Sequence, residues 1–121
     1  MVSCVGSFLE VYSKWLDHHM ASLLHLVPSR LKDSNQVLDE LRNLGQLPFG
    51  AKELTADAKA MYTHIDPDHA IEVMKAWFRE YSGEIPVLFP RTLFIEVLRI
   101  VLKRNIFQSG DTFWRQIVGT A

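Results

Sequence analysis

Cysteine is nearly missing from this chain. Cys4 is the only one in 121 residues, so no internal disulfide can form, which fits a reducing compartment. No apolar run approaches the ~20 residues of a membrane-crossing helix, and charges interrupt every helical stretch, so no membrane association is expected. No basic segment precedes an apolar stretch near Met1, so no secretory leader is expected either. An excess of one charge sign is lacking too. Thirteen basic residues face 14 acidic ones, a net charge of −1, which is not the balance of a chain that grips nucleic acid over its whole surface. The sequence holds no glycine-rich phosphate loop, internal repeat or low-complexity linker, and no Ser/His/Asp or Cys/His set with supporting context. What is present is the length of one small domain and a 48% hydrophobic content, enough for a core.

Apolar spacing places the elements. Val5, Leu9, Tyr12, Leu16, Met20 and Leu23 recur every three or four residues and predict a helix from about Val5 to Leu26, ended by Pro28. Asp33 or Ser34 can cap a second helix with Val37, Leu38, Leu41 and Leu44 facing inward and Gly45 stopping it. Pro48 and Gly50 mark a loop, after which Glu53 to Met61 reads as an alanine-rich strand. Asp66 before Pro67 fits an N-cap with proline at the first helical position. That third helix runs to about Tyr81 and is expected to bury Ile71, Met74, Trp77, Phe78 and Tyr81. Pro90 opens a fourth, with Leu93, Phe94, Val97, Leu98, Val101 and Leu102 as a wide apolar stripe. A Ser109-Gly110-Asp111 turn between Ile106-Phe107-Gln108 and Thr112 to Val118 predicts a β-hairpin. The expected class is α+β, about four helices on one face of a small antiparallel sheet of about three strands. So small a sheet is hard to stabilise without further partners, which makes an incomplete domain the expectation.

One stretch carries potential chemistry. Asp57 lies in the predicted strand, and Tyr62 follows five residues later, just before a helix. A carboxylate at a strand end is a common way to hold Mg²⁺, which takes few protein oxygens. Taken by itself, however, Asp57 reads as a surface or capping acid and Tyr62 as a half-buried strand tyrosine. Asp66 and Asp68 lie across a turn, and their spacing does not aim them at Asp57.

The run Leu54-Thr55-Ala56-Asp57-Ala58-Lys59-Ala60-Met61-Tyr62-Thr63-His64-Ile65 resembles the first catalytic motif of reverse transcriptases. The likeness to non-LTR and Penelope-like retroelement polymerases extends over most of residues 1–121. It takes in Val2 to Ser7, Trp15-Leu16-Asp17, Leu31-Lys32-Asp33-Ser34, Asn105-Ile106-Phe107, Gly110 to Trp114 and Gln116 to Ala121. The resemblance implies a partial fingers–palm of an RNA-directed DNA polymerase. In complete form such an enzyme joins deoxynucleoside triphosphates to a primed RNA or DNA template with two Mg²⁺ ions. It assigns the metal to Asp57 and the Ala58 carbonyl, the steric gate against a 2′-hydroxyl to Tyr62, and contact with nucleotide and template to Gln116 and Gly119. The family's second catalytic motif, an aromatic, a spacer and two Asp, does not occur in these residues, and the thumb is missing. A truncated fragment, inactive alone, is therefore expected.

Two further surfaces carry candidate groups. From residue 91 onward Arg91, Arg99, Lys103, Arg104 and Arg115 outnumber Glu96 and Asp111, so Arg99, Lys103 and Arg104 form a weak candidate nucleic-acid face, although a solvated helix surface explains them as well. The string from His64 to His69 has donors for a transition metal but no cysteine pair, and capping explains Asp66 and Asp68 better. His18, His19 and His25 read as surface or boundary residues, and Trp77, Phe78 and Tyr81 read as core rather than a stacking platform. The alternative to the polymerase reading is a non-catalytic helical interaction module that self-associates or binds a partner through apolar stripes. A polymerase of this type works in nucleus or cytoplasm.

Overall fold

The computed structural model describes residues 7–52 and 54–119. Val5, the Val2–Gly6 part of the fingers-like motif, Glu53 and the terminal Thr120-Ala121 lie outside the described residues. Helix α1 spans Leu9–Leu23 and runs into a 3₁₀ turn at Leu24–Leu26. Val27 is already extended, as the proline that follows it requires. Helix α2 spans Ser34–Asn43, with Asp33 rather than Ser34 as its cap: one Asp33 carboxylate oxygen accepts from the backbone N–H groups of Asn35 and Gln36 at 2.9 and 3.0 Å. A short helical turn, α3, covers Met61–His64. Helix α4 spans Pro67–Glu80, and the expected Asp66 cap and leading Pro67 are both in place. Helix α5 spans Arg91–Lys103, followed by strands β1 (Ile106–Ser109) and β2 (Thr112–Arg115).

The core is a layer of three helices with α5 in the middle, packed against α1 on one side and α4 on the other. Leu16 and Leu23, one heptad apart on α1, meet Ile71 and Phe78 of α4 and Phe94, Ile95, Val97 and Leu102 of α5. An aromatic cluster fills the centre: Phe78, Phe89 and Phe94 sit 5.4 to 5.7 Å apart centre to centre, and Trp15 lies 6.2 Å from Phe94. The α4–α5 connection is pinned by Arg91, whose guanidinium donates to the carbonyls of Ser82 at 2.9 Å and Ile85 at 3.2 Å. Ile85 is buried beneath that clasp.

Several expectations are corrected. Residues 54–60 form no strand, and Asp57 is exposed on irregular chain. Alanines offer a strand little side chain to pack, and among the described residues no third strand lies alongside to pair with it. The sheet is β1 and β2 alone, antiparallel, with Ser109 opposite Thr112 and Ile106 opposite Arg115. Gly110, at φ +61°, supplies the positive φ that so tight a turn asks for. The second strand ends at Arg115, short of the expected Val118, and the chain bends at Val118 and Gly119. The helices pack on one another rather than on the sheet. Helix α2 buries nothing: Leu38, Leu41 and Leu44 are exposed and Val37 only half-buried. On α4, Met74 and Trp77 are half-buried at the edge of the core, as is Tyr81 just beyond it, and on α5 Leu93 is exposed. The coarse class stands as helices plus one short β element.

Candidate functional site

The residues assigned to nucleotide contact come together although more than 50 positions separate them. After β2 the chain folds back, and the Gly119 N–H donates to the Ile65 carbonyl at 2.7 Å. Gly119 sits at φ +84°, and a Cβ placed on it would stand 2.6 Å from the Tyr62 carbonyl oxygen and 2.9 Å from Thr63 Cα. Gln116 Nε2, also 2.9 Å away, could swing aside, but the two backbone atoms could not, so no side chain fits there. Only glycine therefore lets segment 116–119 seat on α3.

The receiving surface is a tightly tied turn. Ala60 precedes α3 in the left-handed region at φ +54°, and its carbonyl collects the Thr63 N–H at 3.1 Å, the Thr63 hydroxyl at 2.9 Å and His64 Nδ1 at 2.9 Å. A carbonyl only accepts, so His64 carries its proton on Nδ1. The histidine string thus serves local caps, and no cluster of three or more metal-ligating side chains occurs among the described residues. Tyr62 projects from this turn with 52% of its surface exposed.

Gln116 faces the same corner from the other chain segment. Its backbone N–H donates to the Asn105 carbonyl at 2.9 Å, its Oε1 accepts from Asn105 Nδ2 at 2.7 Å, and its Nε2 donates to the Val118 carbonyl at 2.9 Å. Beside it lies a polar pocket of about 240 Å³ lined by Asp66, Pro67, Asp68, Lys103, Arg115, Gln116 and Ile117. Lys103 and Asp68 form an ion pair across this pocket, tying the end of α5 to the start of α4. The Asp66 carboxyl is held below the usual carboxylate range by the backbone N–H groups of His69 and Asp68, helped by the nearby His69 and Lys103 charges.

The other assigned residues are not gathered here. Asp57 and Ala58 are exposed on the chain before α3. Asp57 and the Ala58 carbonyl supply one carboxylate and one carbonyl, fewer ligands than the two-metal chemistry implied by the resemblance would use. In the weak basic face, Arg99 pairs with Glu96 at 3.7 Å and Lys103 with Asp68, while Arg104 is exposed. Its positive charge is thus largely matched within the chain. Of Trp77, Phe78 and Tyr81, Phe78 is core as expected, while the other two are half-buried and pack against the core's edge. His19 stacks on Trp15 at 4.0 Å and its Nδ1 donates to the Trp15 carbonyl at 2.9 Å, a boundary role.

Sequence reasoning missed Asn105 as a site residue and missed the Lys103–Asp68 tie. Both connect positions far apart in the chain, and no local pattern marks such pairs. Compared with protein-family models, curated proteins and solved structures, the chain matches none. Among the described residues no helix is long and apolar enough to cross a membrane.

Proposed function

We propose that this chain is a fingers–palm portion of an RNA-directed DNA polymerase of non-LTR or Penelope-like type, and that Tyr62, Gln116 and Gly119 are its share of a deoxynucleotide site. One observation carries the reading: the Gly119 N–H to Ile65 carbonyl bond, in a seat that excludes every side chain, brings two family-like segments into one corner. The motif likeness is a matter of sequence, and this contact adds that two of its segments meet in the fold. Around Gly119 the Tyr62 carbonyl and the Gln116 Nε2 group lie close together, Tyr62 is exposed and Gln116 half-buried, so the tyrosine is free to stack and the amide to hydrogen-bond.

In the complete enzyme Asp57 and the Ala58 carbonyl would contribute to Mg²⁺ binding, and the partners would be template–primer and deoxynucleoside triphosphate. The chain lacks an aromatic-x-Asp-Asp carboxylate pair, so primer extension by residues 1–121 alone is expected to be nil in Mg²⁺ or Mn²⁺. Any Asp57-dependent product would overturn that expectation. Binding is tested by an NMR titration with millimolar dATP and Mg²⁺. Shifts concentrated at residues 60–66 and 116–119 support the reading. Shifts elsewhere, or none, sink it.

The alternative, an interaction module, is favoured by one specific feature. Helix α2 and its C-cap present Leu38, Leu41 and Leu44 to solvent. Leu98 would be a poor probe of that alternative, because it packs against the core. Leu41→Asp is the informative substitution.

A further inference from the structure

We infer that Asn105 is a positioning residue for the Tyr62–Gln116–Gly119 corner, fixing the Gln116 amide with Nε2 toward Val118 and Oε1 toward Asn105 and so setting the direction from which a bound molecule meets it. The ligand side of this inference rests on the nucleotide-site reading above; the positioning side does not.

Asn105 is 4% exposed, the one buried polar or charged residue among the described residues. It stands between the end of α5 and the start of β1, on the helical core and not on the hairpin tip. A buried carboxamide is tolerated only when hydrogen-bonded, and Asn105 binds Gln116 twice, through its backbone carbonyl and through Nδ2. The direction of the Gln116 amide follows from chemistry. The Val118 carbonyl can only accept, so Nε2 must face it, and Oε1 must then face a donor, which Asn105 Nδ2 supplies. The side chain keeps one Nε2 hydrogen and the second Oε1 lone pair, both held in fixed directions by these bonds. The remaining Nε2 hydrogen suits an acceptor, such as a sugar oxygen, a phosphate oxygen or a base carbonyl. The Nε2–Val118 bond lies one residue before Gly119, so releasing Gln116 also loosens the Gly119 seat on Ile65.

The test uses the whole chain and two readouts. The first needs no ligand: amide hydrogen exchange at Gly119. Asn105→Ala is expected to speed that exchange about tenfold while the Phe94-centred core shifts stay at their wild-type values. Should Asn105→Ala fail to fold, Gln116→Leu at a half-buried surface position removes both side-chain bonds of Gln116 and should give the same acceleration. The second readout is dATP affinity in Mg²⁺. Asn105→Ala should weaken it as much as Gln116→Ala does, and the double variant should be no weaker than Gln116→Ala, since both act through one amide. Wild-type Gly119 exchange in both variants, or additive losses in the double variant, would overturn the inference. If wild-type chain binds no dATP but Gly119 exchange still depends on Asn105, the nucleotide reading fails and the positioning role stands.

Discussion

The α1–α4–α5 layer and the α2 region have similar raw material and different fates. Both carry leucines at helical spacing. On α1 they are covered by α5 and an aromatic cluster; on α2 they face water. From Leu44 to Ala60 the described chain has no regular element and every described residue is exposed. Amphipathic spacing states which face is apolar, and only the rest of the fold decides whether anything covers it.

Five substitutions sharpen or break this contrast, from large effect to small. Phe94→Ala, at the centre of the cluster, should cost about 3–5 kcal/mol in urea unfolding, whereas Leu41→Ala on α2 should stay within about 0.5 kcal/mol. Comparable losses at the two sites would mean that α2 has a partner in solution. Gly119→Ala should detach segment 116–119 from α3, because its Cβ meets the Tyr62 carbonyl. We expect lost protection of the residue-119 amide with the helical layer intact, seen as unchanged helical circular dichroism. Asp33→Ala removes the α2 cap, and about 1 kcal/mol of helix stability should disappear locally. Because α2 does not share the core, the main thermal transition should hardly move while the α2 carbonyl shifts go to coil values.

The smallest effect concerns Asp66 and depends on pH. Its folded-state carboxyl titrates below the ordinary 3.8. The ionised cap therefore stabilises the fold above that pH, and the contribution is lost as pH falls through the lower folded value. Asp66→Asn should lower Tm relative to wild type near neutral pH, and the gap should close in strongly acidic solution. A gap that widens on acidification would contradict the capping account.

Much of the helical frame was legible. Heptad leucines located α1, the Asp66-Pro67 pair located the start of α4, Pro90 located α5, and Gly110-Asp111 located the hairpin turn. These signals are local, being set by caps, proline geometry and periodicity. The irregular course of the chain around Asp57 was not legible, because an extended run and a strand differ only by the presence of a neighbour. Burial of Asn105 was hidden for the same reason: its partner Gln116 lies beyond an entire hairpin. The Tyr62–Gln116–Gly119 corner was legible only in part. Motif likeness selected Tyr62, Gln116 and Gly119, but their meeting is a tertiary fact, made by a glycine seat that no sequence rule announces.

The most direct test of the central claim compares dATP with ATP, each with Mg²⁺, for wild-type chain and for Tyr62→Ala. If Tyr62 stands under the sugar, wild type binds the deoxynucleotide more tightly and Tyr62→Ala removes that preference. Equal affinity for both nucleotides in wild type, or a preference that survives Tyr62→Ala, would contradict it.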